Sequence, residues 1–100
     1  MNKANVPYKR IAFMCTNQKE PGKTCCACRG SVELQAKLKE MATVRGLSGQ
    51  LRVSKSGCQG RCADGPNIMV FPDNTWYSGV QESDLETILN DLAQDMSPSE

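Results

Sequence analysis

Histidine is absent from the sequence. Without it the chain cannot build a Cys/His zinc finger, a histidine-ligated haem or a Rieske centre, which needs two histidines on one iron. A cysteine nucleophile activated by histidine is excluded for the same reason. If this protein has metal or redox chemistry, we expect sulfur to carry it.

Long apolar runs are also missing, and none approaches the roughly 20 residues that a membrane-spanning helix requires. The first ten residues, MNKANVPYKR, have no apolar segment behind their basic residues, so they do not have the pattern of a secretory signal. We therefore expect a cytoplasmic protein without a membrane span. In that reducing compartment, six cysteines are more often metal ligands or redox groups than a disulfide framework.

Aromatic residues number only five, and they do not alternate with the basic residues. That arrangement argues against a nucleic-acid partner. Phe71, Trp76 and Tyr77 fall in one predicted hairpin, where packing in the core or in a dimer would explain them.

One hundred residues are enough for a single domain with one core, and we expect one domain over 1–100 with frayed ends at 1–7 and 95–100. Alternating apolar residues and turn signals predict the order β-α-β, a cysteine loop, then β-β-α. The predicted strands cover 8–14, 51–55, 67–71 and 75–80, and the predicted turn of the hairpin is 72–74. This order is that of an α/β, thioredoxin-like fold with a mixed four-stranded sheet and helices, in which a right-handed crossover joins two parallel strands.

Two helices are expected, each with its own start signal. The first has Ser31 as its predicted N-cap, and Leu34, Leu38 and Met41 recur at helical spacing before the glycines at 46 and 49. The second is predicted to begin with a capping box, S-x-x-E, made by Ser83 and Glu86. Its apolar stripe consists of Leu85, Ile88, Leu89 and Leu92.

The cysteines are the most distinctive part of the chain. Cys15 follows the first predicted strand, three more crowd into KTCCACRGS at 23–31, and the last two lie in SGCQGRC at 56–62. An isolated cysteine is usually just a small buried apolar residue. Here five of the six stand in loops flanked by glycine, proline and charged residues, which favours metal ligation or redox chemistry.

Three kinds of thiol site are compatible with the spacing. A structural zinc site is one, because Cys25-x2-Cys28 and Cys58-x3-Cys62 resemble zinc knuckles. A thiol-disulfide oxidoreductase using Cys25 and Cys28 is another, although its motif should directly follow the first strand, where this chain has Cys15. An iron-sulfur cluster is the third, with Cys15, one of the central three cysteines, and the last pair as its four thiolates. Glycines at 57, 60 and 65 would let backbone amides approach those sulfurs closely.

Three segments together resemble a known family. They are CTNQKEPGKTCCACRGS, then SGCQGRCADGPNIMVFPDNTWYSGV, then the terminal helix. In this order they are similar to the thioredoxin-like [2Fe-2S] ferredoxins, which are related to the NuoE-type subunit of respiratory NADH dehydrogenase. The likeness runs from about Arg10 to Leu92. It implies a one-electron carrier rather than an enzyme, one [2Fe-2S] cluster per chain, and a homodimer.

The same resemblance nominates the cluster ligands as Cys15, Cys26, Cys58 and Cys62. In the family, ten to twelve residues separate the first two ligands and three separate the last two. Cys26 fits the lower limit from Cys15, and the Arg-Gly after Cys28 also matches the family. Cys28 lies within the allowed spacing too, so the second ligand is less settled than the other three. Cys25 and Cys28 depart from the family pattern, and their role stays open.

Charge is strongly separated along the chain. Residues 1–62 hold all twelve Lys and Arg against three acids, a net charge of +9, whereas the remaining 38 residues hold eight acids and no base. Five of the bases lie in or near the cysteine loops: Lys19, Lys23, Arg29, Lys55 and Arg61. They are expected to offset the negative charge of a thiolate-bound cluster, to steer a redox partner with an acidic docking surface, or both.

Overall fold

The structure is a computed structural model that describes residues 1–16, 30–57, 59–60 and 65–96. Outside these ranges lie five of the six cysteines, Cys25, Cys26, Cys28, Cys58 and Cys62. Four of the five bases assigned to the cysteine loops lie outside them as well: Lys19, Lys23, Arg29 and Arg61. Of these two groups, the structure places only Cys15 and Lys55.

The elements follow the predicted order. They are β1 (Arg10–Cys15), α1 (Ser31–Val44), β2 (Leu51–Ser56), β3 (Ile68–Phe71), β4 (Thr75–Tyr77), a single 3-10 turn (Glu82–Asp84) and α2 (Leu85–Leu92). No helix in the described part of the chain is long and apolar enough to cross a membrane.

The four strands form one mixed sheet in the order β2-β1-β3-β4. β1 and β2 run parallel, in register from Arg10 opposite Leu51 to Cys15 opposite Ser56. β3 is antiparallel to both β1 and β4. The predicted α/β architecture, with a parallel β-α-β crossover followed by a hairpin, is therefore confirmed.

The core lies between the helices and one face of this sheet. Ala12 and Met14 of β1 are fully buried, and their neighbours on the same face include Val53 of β2 and Val70 of β3. The helices complete the core mainly with leucines, which are Leu38, Leu85, Leu89 and Leu92. Strand residues alternate between faces, so each strand sends every second side chain into this layer.

The opposite face of the sheet is not covered by any described helix, although it is apolar. Cross-strand pairs place Ile11 beside Phe71, Phe13 beside Met69, and Met69 beside Trp76. Phe71 is 47% exposed and Trp76 is 42% exposed. We call these five side chains the open sheet face. Core packing therefore does not explain Phe71 and Trp76.

The start of α1 differs from the prediction. Gly30, not Ser31, is the N-cap, and it has φ +84°, a left-handed conformation that costs glycine little. Ser31 is the first helical residue and is fully buried. The buried stripe of the helix is Ser31, Gln35, Leu38 and Ala42, so its first two members are polar. The predicted stripe members Leu34 and Met41 pack at its margin and are only partly buried.

The predicted capping box of α2 is wrong by two residues. Gln81 and Asp84 form the box, and the Gln81 backbone N–H donates to Asp84 Oδ2 over 2.9 Å. The box caps the 3-10 turn that precedes α2, so Ser83 and Glu86 are not needed as caps. The predicted apolar stripe of α2 is confirmed, because Leu85, Ile88, Leu89 and Leu92 are all buried.

Arg10 ties the first residue of β1 to the acidic second half of the chain. Its guanidinium donates to Asp73 Oδ2 over 2.7 Å, to the Leu92 carbonyl oxygen over 2.9 Å and to the Asp95 carboxylate. These contacts raise the pKa of Arg10, and the hydrogen bond from Arg10 lowers the pKa of Asp95. Part of the charge separation in the sequence is thus neutralised inside the fold.

Candidate metal centre

Cys15 stands at the end of β1, in the middle of the sheet. The residue is fully buried, and its backbone N–H donates to the Asn67 carbonyl oxygen over 3.1 Å. The next residue, Thr16, donates its N–H to the Ser56 carbonyl oxygen over 3.0 Å. Because β1 and β2 are parallel, both end at the same sheet edge, and Cys15 lies opposite Ser56 in the register. We call this the cysteine edge.

The first turn of α1 reaches the cysteine edge as well. Gln35 is buried and donates from Nε2 to the Val53 carbonyl oxygen over 3.1 Å, which fixes the helix against β2. At its other end, the Leu51 N–H donates to the Leu47 carbonyl oxygen beyond the helix C-terminus. The helix therefore runs antiparallel to β2. Ser31, four residues before Gln35, lies about 6 Å closer to the cysteine edge along the helix axis.

Gln59 fastens the segment after β2 to the end of β1. Its Nε2 donates to the Phe13 carbonyl oxygen over 2.9 Å and to Ser56 Oγ over 2.8 Å. Gln59 stands between the two predicted ligands of the last pair, in Cys58-Gln59-Gly60-Arg61-Cys62. Sequence analysis missed it, although a single amide side chain inside a C-x3-C spacing is a signal that could have been noticed.

The glycines beside Gln59 keep this part of the edge open. Gly60 has φ +83°, which a residue with a side chain rarely adopts. A Cβ atom added at Gly57 or Gly60 would meet nothing within 4 Å. The space beside the backbone is therefore open at both positions.

Two buried polar atoms at the cysteine edge have no hydrogen-bond partner among the described residues. They are Ser31 Oγ and Gln59 Oε1. Buried polar atoms in folded proteins nearly always have a partner, and an unsatisfied one costs about 1–3 kcal/mol. At this edge, two buried polar atoms therefore lack a hydrogen-bond partner among the described protein atoms.

The chemistry of the available donors fits a thiolate-bound iron cluster. The chain has no histidine, and the one predicted ligand that the structure describes, Cys15, reaches this edge from a buried strand. The buried hydroxyl of Ser31, which can donate to sulfur, and the open space beside Gly57 and Gly60 lie at the same edge, whereas Gln59 Oε1 is an acceptor and cannot donate to a sulfur. Within the described ranges no three metal-binding side chains come together. The other three predicted ligands lie outside those ranges, and so do Cys25 and Cys28.

Positive charge also reaches the cysteine edge. Lys55 is exposed and pairs in the register with Met14, one residue before Cys15. Elsewhere the bases of the first half meet acids of the second half: Lys37 donates to the Glu82 carboxylate and lowers its pKa, and Lys9 lies 3.7 Å from Asp95.

Known proteins similar to this chain were found among both sequences and structures. No model of a known protein family matches the chain. A curated "Ferredoxin, 2Fe-2S" of Clostridium pasteurianum is 35% identical over 83 residues, which are 81% of this chain and 81% of that protein. A second "Ferredoxin, 2Fe-2S", of Aquifex aeolicus, is 33% identical over 82% of this chain and 76% of its own length. The crystal structure of the wild-type thioredoxin-like [2Fe-2S] ferredoxin from Aquifex aeolicus superposes with a TM-score of 0.81 at 28% identity and covers 91% of each chain.

Proposed function

Since the chain belongs to the thioredoxin-like [2Fe-2S] ferredoxin family, we propose that it carries single electrons between redox proteins on one cluster bound at the cysteine edge. It is an electron carrier rather than an enzyme. The single observation that carries the proposal is the position of Cys15, which is buried at the end of a central strand, at the edge where Gly57 and Gly60 leave open space. The chain that holds this cysteine is about one third identical to two named ferredoxins.

The four ligands that we propose are Cys15, Cys26, Cys58 and Cys62. Two of them are close in sequence to residues at the cysteine edge. Cys58 follows Ser56, which faces Cys15 in the register, by two residues, and Cys26 precedes Gly30, the N-cap of α1, by four residues. Cys28 precedes Gly30 by two residues, so it is the competing choice for the second ligand.

When bound, a [2Fe-2S] cluster accepts and returns one electron, and its potential depends on burial and on hydrogen bonds to its sulfurs. The chain's own residues hold and shield it. Fully buried Cys15 would keep water from one side, and Gln59, which stands between Cys58 and Cys62 in the sequence, is hydrogen-bonded to β1. Gly57 and Gly60 keep side chains away, so that backbone amides can approach the sulfurs.

A homodimer built on the open sheet face is part of the proposal. Five apolar side chains from three strands lie together there: Ile11, Phe13, Met69, Phe71 and Trp76. Contiguous exposed apolar surface of this kind usually marks an interaction site. Its rim on β2 is polar, with Arg52 and Ser54 as the residues paired with Ile11 and Phe13. A second copy placed on this face would cover the apolar side chains that no described element covers.

We further propose that the partner docks at the cysteine edge through an acidic surface. Lys55 is the described base nearest to Cys15 in the register, and the residues outside the described ranges add four more bases to the loops. Because the bound cluster carries about −2 charge, and about −3 after reduction, part of this positive charge compensates the cluster itself. The cytoplasm is the compartment we favour, since thiolate ligands require reduced cysteines.

The decisive experiment is chemical analysis of the purified protein, with variants of the proposed ligands. We expect two irons and two acid-labile sulfides per chain, with charge-transfer absorption in the visible range. Cys15→Ser, Cys58→Ser and Cys62→Ser should each abolish a normal cluster, whereas Cys26→Ser should retain part of it if Cys28 substitutes. A colourless protein with zinc would refute the proposal. Full cluster in Cys26→Ser, together with its loss in Cys28→Ser, would reassign the second ligand.

A further inference from the structure

Ser31 is a buried hydroxyl without a described partner at the beginning of a 14-residue helix. Its exposure is 0%, and its Oγ has no hydrogen-bond partner among the described residues. A serine inside a helix usually donates to the carbonyl oxygen one turn earlier. Thr43 in the same helix does so, donating to the Lys39 carbonyl oxygen over 3.0 Å. For Ser31 the helix itself offers no such carbonyl oxygen, because Ser31 is the first residue of α1.

The hydroxyl lies on the side of α1 that faces the sheet. Ser31 begins the buried stripe, and Gln35, one turn later on the same stripe, reaches β2 at Val53. Stepping back one turn from Gln35 leads toward Ser56, which faces Cys15 in the register. Ser31 is therefore buried toward the same edge that Cys15 reaches from the other strand.

We propose that the Ser31 hydroxyl donates a hydrogen bond to a sulfur of the bound cluster, either a ligand thiolate or a bridging sulfide. This inference rests on the proposed cluster site. A hydroxyl is a suitable donor to an electron-rich sulfur, and the cluster would then supply the partner that the described protein atoms do not. Ser31 acts through the sulfur and is a positioning and tuning residue rather than a ligand.

The direction of its effect follows from charge. Reduction adds one electron to the cluster and increases the negative charge on the sulfurs, so the hydrogen bond is stronger in the reduced state. The N-terminal end of α1 adds partial positive charge at the same place. Ser31 therefore stabilises the reduced state more than the oxidised state, and it raises the reduction potential.

The test compares the holoprotein with Ser31→Ala, and with Thr43→Ala as a matched control. Both changes remove one helical hydroxyl, but Thr43 already bonds its own helix and is exposed. We expect Ser31→Ala to keep its iron and sulfide. The ratio of oxidised to reduced protein at a given potential should rise by up to tenfold, which for one electron corresponds to a reduction potential about 59 mV lower. Pulsed electron paramagnetic resonance of the reduced protein in D2O should show the loss of one exchangeable deuteron coupling. Thr43→Ala should change neither quantity.

A second variant, Ser31→Thr, keeps the test decisive if Ser31→Ala binds the cluster poorly. Ser31→Thr keeps the hydroxyl, so it should retain the wild-type potential and the exchangeable coupling. The inference is refuted if Ser31→Ala keeps both the wild-type potential and the coupling, or if Ser31→Thr shifts as far as Ser31→Ala. A wild-type protein without iron and sulfide would instead refute the proposed function, so the two failures can be distinguished.

Discussion

Gln59 gives the most direct test of how the fold holds the proposed cluster. Replacement by methionine keeps a side chain of similar length and volume but removes both amide hydrogen bonds, the one to the Phe13 carbonyl oxygen and the one to Ser56 Oγ. Each such bond contributes about 0.5–1.5 kcal/mol net, so the two together hold the segment at Gln59 by about 1–3 kcal/mol. Since 1.4 kcal/mol is a factor of ten, the open form of this segment should become about 5 to 150 times more populated.

The assay is the rate at which the visible absorption of the holoprotein bleaches in excess chelator. If iron is lost through the open form, Gln59→Met should bleach about 5 to 150 times faster than wild type. Gln94→Met is the matched control, because Gln94 is exposed and lies after α2. The reasoning is refuted if Gln59→Met bleaches within a factor of two of wild type, or if Gln94→Met bleaches equally fast.

Three further predictions concern the dimer, the ion pair between Arg10 and Asp95, and the surface on which a redox partner docks. Trp76→Glu places a charge on the open sheet face, so it should convert the dimer to monomers, as measured by sedimentation velocity. Val44→Glu, at an exposed apolar site on α1, should leave the dimer intact. The opposite pattern would show that the dimer interface lies on α1 and not on the open sheet face. Asp95→Asn should lower the melting temperature at pH 7, because the hydrogen bond from Arg10 holds the pKa of Asp95 below the ordinary value of an aspartate. The difference from wild type should vanish as the pH falls through that lowered pKa, and a difference that persists in acid would contradict the assigned cause. Lys55→Glu should slow second-order reduction by an acidic redox protein at low salt, and this effect should disappear at high salt. Asp91→Lys, on α2, should leave the rate unchanged. Equal effects of the two variants on the rate would refute docking at the cysteine edge.

The strands were predictable because their signals are local and periodic. In β2, Leu51 and Val53 are buried and Arg52 is exposed, as the alternation in LRVSK predicts, and the turn between β3 and β4 lies where Asp73 and Asn74 predict it, with Asn74 at φ +58°. The predicted β4 was too long. The strand ends at Tyr77, before Gly79, which has φ +60°. Glycine allows either an extended or a left-handed backbone, so its presence alone could not decide where the strand ends.

Helix starts were less predictable because several residues satisfy the same local rule. Ser31 and Ser83 are both preferred N-cap types, yet Gly30 and Gln81 occupy the capping positions. In α1 the deciding factor is tertiary, since the sheet buries the stripe that contains Ser31 and Gln35. Helix propensity depends on the local sequence, so it cannot predict that a serine or glutamine is buried with a hydrogen-bond partner from elsewhere in the fold.

The candidate site was predictable in its residue types but not in its surroundings. Cysteine spacing and the family resemblance nominated the ligands, and the structure places Cys15 at the end of β1 as expected. The other three proposed ligands lie outside the described ranges. Gln59 and Ser31 were missed because their roles depend on which strand end and which helix face lie opposite them.

The central position of β1 has a consequence for how the holoprotein is assembled. β1 is hydrogen-bonded to β2 on one side and to β3 on the other, and its first residue is clasped by Asp73 and Asp95. Amides of such a strand exchange with solvent only when the whole domain opens. Cys15, the proposed ligand on this strand, would therefore be held in place by the sheet itself, so cluster insertion would begin at a thiol that the fold has already positioned.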